Sequence, residues 1–251
     1  IIGVATANKI KLEKTAASVA FENDYATINP VLAGVEKYTG PVTLTDAGGV
    51  NATNLNTIAA ATSGKVTATL TSVAVAPSLV TALADVKATD NISFTANNTA
   101  LADNSDVRAL IDLSRILPKA NYDAIPSITS NEVSLVKQAL TIIKKNAITA
   151  VDTVVTFSGS PISAKDANDI AKATDGILTA TLKDGKVAET LKALGDVKAT
   201  DALTFTTTDT SVKAADLVAL SSKLAGGTLV ATSVTKITGE AKDVASIAAA
   251  V

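Results

Sequence analysis

The chain has 251 residues, of which 47% are hydrophobic, and a formal net charge of -2; that is enough apolar material for one large domain or two ordinary ones. It contains no His, Cys or Met, which excludes Ser-His-Asp catalysis and any zinc, copper or iron-sulfur site built on Cys and His. Lys and Arg are scattered and form no basic stripe, which argues against a nucleic-acid partner, and no run of about 18 apolar residues predicts a transmembrane segment. With three Tyr, four Phe and no Trp, the core must be built largely from Ala, Val and other small side chains. That favours thin repeated layers over one bulky centre.

Residues 1–40 carry Phe21, Tyr25 and Tyr38 and are predicted to form an N-terminal cap or linker. Ile1, without an initiator Met, reads as a processed terminus or the edge of a fragment. A first repeat block follows over residues 41–126, with strand-like starts at Val42, Val66 and Ile92. Each start opens an alternating run such as Val66-Thr67-Ala68-Thr69-Leu70-Thr71, then a turn and a helical stretch, so the period switches from 2 to about 3.6. Gly48-Gly49 reads as a turn, and Pro77 opens a helix over 78–86. Asp103, Asp106 and Asp112 beside Arg108 and Arg115 have the spacing of a helix cap and of i,i+3 or i,i+4 surface pairs rather than of a carboxylate active site. The segment 117–126, with two prolines, reads as an irregular joint, and 130–145 as a helix.

The second block, residues 127–251, has strand starts at Val155, Leu178 and Leu203, with helix caps expected at Ser163 and Ser211. Gly64, Gly176 and Gly226-Gly227 stand where a left-handed residue would close a helix. The Ala-rich stretch 238–251 reads as a helix without a polar cap, so more coils are expected to follow it.

The two blocks are copies of one another. Leu83-Ala84-Asp85-Val86-Lys87-Ala88-Thr89-Asp90-Asn91-Ile92-Ser93-Phe94-Thr95 returns, 111 positions on, as Leu194-Gly195-Asp196-Val197-Lys198-Ala199-Thr200-Asp201-Ala202-Leu203-Thr204-Phe205-Thr206. Ile58, Ala59, Ala61, Thr62 and Gly64 likewise match Ile170, Ala171, Ala173, Thr174 and Gly176. Within a block the starts are 23 to 26 residues apart. So short a strand-helix-strand step pairs strands in parallel through a crossover, which is right-handed in about 98% of cases. The predicted fold is therefore α/β: a right-handed β/α solenoid of about 25-residue strand-turn-helix units, with a parallel sheet on one side and short helices on the other. Its outline is that of leucine-rich repeats without their leucine and asparagine pattern. A doubly wound sheet is the rival fold.

Alternation along the strands sets one candidate binding surface. With Val66, Ala68, Leu70, Ile92, Phe94, Val155, Phe157, Leu178, Ala180, Leu203 and Phe205 turned inward, the outward positions are Thr43, Thr45, Thr67, Thr69, Thr71, Ser93, Thr95, Thr156, Ser158, Thr179, Thr181, Thr204, Thr206 and Thr208. A regular grid of hydroxyls suits another regular object, such as a glycan, ice or a neighbouring filament. The simpler reading is a solvated strand face built from the best small β-former. Asp46, Asp90, Asp175, Asp184, Asp201 and Asp209 sit at turns, where Ca²⁺ would gather carboxylates; no calcium-binding motif accompanies them, and solvated turn formers are the simpler reading. No cofactor is expected, and no catalytic residue.

The Thr-rich units, the Ile-Ala-x-Ala-Thr-x-Gly pattern at 58–64 and 170–176, and Val-Thr-Lys-Ile-Thr-Gly at 234–239 resemble the repeat regions of very large cyanobacterial cell-surface proteins. The likeness covers about residues 41–251. It implies an extracellular or cell-surface location and a role in surface-layer formation, adhesion or motility. The function expected is a non-enzymatic, structural repeat segment serving as an envelope, adhesion or filament-forming scaffold, whose partners are neighbouring repeats, copies of itself or surface polysaccharide. The alternative is a binding module that docks glycan, ice or another surface through its Thr-rich sheet face.

Overall fold

The computed structural model describes residues 19–35, 38–97, 99–146 and 151–248. Its architecture is α/β, with parallel strands alternating with helices, as the switching periodicity predicts. The chain divides into two compact units, one of residues 1–99 and 108–125, the other of 100–107 and 126–251.

The first unit holds β1 (Phe21–Asn23), α1 (Tyr25–Ala33), β2 (Val42–Leu44), α2 (Ala52–Ala61), β3 (Val66–Thr69), α3 (Pro77–Ala82) and β4 (Asn91–Ser93). Its strands lie side by side in chain order, all parallel. The stretch expected as a cap or linker thus contributes the strand β1 to the sheet and the helix α1 that follows it; residues 1–18, 36 and 37 of it lie outside the described residues. After α4 (Asn104–Ile116), the second unit carries β5 (Ser127–Ser130), α5 (Val133–Asn146), β6 (Val154–Phe157), α6 (Ala164–Ala171), β7 (Leu178–Thr181), α7 (Val187–Ala193) and β8 (Ala202–Thr206). It ends with β9 (Ser211–Lys213), α8 (Ala214–Lys223), β10 (Thr228–Val230), β11 (Lys236–Thr238) and α9 (Ala241–Ala248). Strands β5, β6, β7, β8 and β10 form one parallel sheet in that order, and β9 pairs with β11. The expected final helix is therefore shorter, because 236–238 is strand; residues 249–251 lie outside the described residues.

Each outer residue of a strand has an inner neighbour that fills the core: Val42, Val66, Val155, Leu178, Leu203 and Phe205 are all fully buried. The register differs from the alignment of strand starts. Ile92 pairs with Ala68 rather than Val66, and Leu203 with Ala180 rather than Leu178. A shift of two residues leaves every side chain on its own face, so the alternation is blind to it. Strands also resume after a short loop, where Val50 bridges to Leu70 and Ile162 to Leu182 in parallel.

Helix starts follow local chemistry in part. Asn51 accepts from the Asn54 N–H at 2.8 Å, Ser163 from the Asp166 N–H at 3.0 Å, and Pro77 occupies the first turn of α3. Ser211 is not a cap: it belongs to β9, and Lys213 precedes α8. The glycines after the helices are not left-handed either. The positive-φ glycines among the described residues are Gly48, Gly49, Gly159 and Gly239, whereas a Cβ on Gly64 would stand 2.1 Å from the Gly40 carbonyl oxygen and one on Gly176 2.4 Å from that of Thr153. Close approach of two backbones, not helix closure, requires glycine there.

Candidate functional site

None of the fourteen expected face residues is buried. Thr45, Thr69, Thr71, Ser93, Thr95, Ser158, Thr181 and Thr208 are exposed, and Thr43, Thr67, Thr156, Thr179, Thr204 and Thr206 half-buried, each between buried neighbours in sequence or beside one. Their hydroxyls make no hydrogen bond among the described residues. The threonines at the joints between strands behave oppositely. Thr62 donates to the Gly40 carbonyl at 2.9 Å and accepts from the Gly64 N–H, and Thr174 shares its one hydroxyl proton between the Val151 and Thr153 carbonyls, each at 2.7 Å, while accepting from the Gly176 N–H. One residue type therefore serves two ends, spent internally at joints and left unspent on the sheet face.

Pairing orders the face into short ladders rather than a continuous grid. In the first unit Thr43 stands beside Thr67 and Thr69 beside Ser93, but Asn91 interrupts the first row. In the second unit Thr129, Thr156 and Thr179 form one row, closed by Ala202, and Thr181, Thr204 and Thr228 form another. Thr129 and Thr228 escaped the sequence reading because their strands fall outside the blocks' matched cores; the alternation of Ser127-Ile128-Thr129-Ser130 was the available signal. Val154 and Ile177, 37% and 45% exposed, add an aliphatic edge beside the paired Val155 and Leu178.

The aspartates at turns are not solvated turn formers as a class. Asp90 and Asp201 are buried, and each caps the start of the preceding strand. Asp90 accepts from the Val66 and Lys87 N–H groups at 2.8 and 2.9 Å, and Asp201 from those of Leu178 and Lys198, both at 2.9 Å. Asp46 accepts from the Tyr25 N–H and Asp209 from that of Val187, so each supplies a helix N-terminus of the preceding strand-helix step with an acceptor from the next step of the same unit. Asp175 lies 3.7 Å from Lys198, and Asp184 is exposed. No group of three or more candidate metal ligands converges among the described residues.

The carboxylates near α4 fall as expected for a helix surface. Asp103 accepts from the Ser105 and Asp106 N–H groups and is held below the usual carboxylate range chiefly by the Ser105 hydroxyl; Asp112 pairs with Arg115 at 2.8 Å. The tightest ion cluster, unforeseen in the sequence, ties α5 to α6. Lys137 reaches Asp166 and Asp169, each at 2.8 Å, and Lys165 also reaches Asp169. Lys137 and Lys165 lower Asp169 to about 2.

No helix among the described residues is long and apolar enough to cross a membrane. No family model, curated protein or solved structure matches the chain.

Proposed function

We propose that the chain is a structural repeat segment, each unit a right-handed β/α solenoid, serving as an extracellular scaffold of the cell envelope or of an adhesive or filamentous surface structure. One observation carries this reading: the duplicated residues are the joints. Asn56 and Asp85 exchange two hydrogen bonds, Asp85 N–H to Asn56 Oδ1 and Asn56 Nδ2 to Asp85 Oδ2, and Asn168 and Asp196 exchange the same two. Lys87 donates to the Thr62 carbonyl and Lys198 to that of Thr174, each at 2.8 Å. With the Thr-Gly and Asp contacts above, these residues repeated between blocks fasten one strand-helix step to the next. A repeated joint supports a part whose work is to extend and hold. The location rests on the resemblance of the repeat motifs to those of large surface proteins. Protease treatment of intact cells of the source organism tests it: loss of the chain is expected, and its full survival alongside cytoplasmic markers overturns the reading.

The unspent hydroxyls favour a second reading, a binding module that meets glycan, ice or another surface through the sheet face. Replacing Thr67, Thr69, Thr179 and Thr181 by Lys separates the two. The fold, monitored by circular dichroism, is expected to persist because these side chains lie outside the core. Unchanged adhesion or assembly by the folded variant excludes the binding face and leaves the scaffold.

A further inference from the structure

We draw no further inference here: the strongest candidate, the apolar cleft of about 310 Å³ that Leu217, Val218, Leu229 and Ile247 line between α8, β10 and α9, is an unpartnered face for which nothing in the structure shows what covers it.

Discussion

A buried carboxylate that accepts two backbone N–H groups leaves both donors stranded when it is removed. Asp201 is fully buried and serves Leu178 and Lys198, so Asp201→Ala is expected to cost about 2 to 5 kcal/mol in chemical denaturation. Asp201→Asn retains an acceptor for one of the two and should fall between that variant and the wild type. Tyr122 is the opposite case: 2% exposed, its hydroxyl has no partner among the described residues, and its ring packs edge-on to Phe94 at 6.1 Å. Tyr122→Phe keeps the ring and removes an unsatisfied group, so it should be neutral or stabilise by about 1 kcal/mol. Burial pushes the Tyr122 phenol well above its usual value of 10.0. The unfolded chain then releases this proton at lower pH than the folded one, so the stabilisation is complete below about pH 10 and falls as pH rises beyond it. In Tyr122→Phe that alkaline loss should shrink, as read by urea unfolding at several alkaline pH values. Melting that is steeper with pH in the variant would contradict this account of the phenol.

Among the elements, α5 and α6 are joined by charge rather than by side-chain interdigitation alone. Lys137, itself about one-third exposed, holds Asp166 and Asp169 below the carboxylate range, and Ser163 adds to the effect on Asp166 through its hydroxyl. Groups lowered in the folded state stabilise it fully above their unfolded value near 4, and that contribution is lost as pH falls towards about 2. Lys137→Ala removes the partner, so the acid side of the stability profile should flatten slightly between about pH 4 and pH 2, and stability near neutrality should fall by the same small amount, because partly exposed pairs contribute little. An unchanged acid slope in the variant would place the tie elsewhere. The elements themselves were largely legible: period-2 runs located most strands of the two blocks, and Pro77 and Ser163 marked the starts of their helices. The tie between α5 and α6 was not, because Lys137 lies 29 residues from Asp166 and no local pattern links them. Register failed for a different reason. Alternation has a period of two, and the true pairing of Ala68 with Ile92 differs from the apparent one by two residues.

At the scale of the whole chain, the duplication was visible from sequence but its meaning was not. Matched residues such as Asp90 and Asp201 looked like solvated turns because a sequence does not reveal that the preceding strand brings its N–H groups to them. The same blindness made Gly64 and Gly176 look like helix ends, when each makes room for a neighbouring carbonyl. Once the matched residues are read as joints, the repeat reading makes a demand on how the molecule opens. In a solenoid each step bonds only to its neighbours, so stability is a sum of steps and joints, and damage at one joint should spread by proximity. Native-state hydrogen exchange on Asp201→Ala measures this directly. Protection should fall most at the amides of Leu178 and Lys198, less in β6 and β10, and least in β5 at the far edge of the same sheet. Asp90→Ala should produce the same graded loss centred on Val66 and Lys87, and the two costs should add within about 0.5 kcal/mol because the sites share no partner. A uniform loss of protection across all strands from either substitution would show one cooperative core instead of steps fastened in series, and the solenoid reading would fail with it.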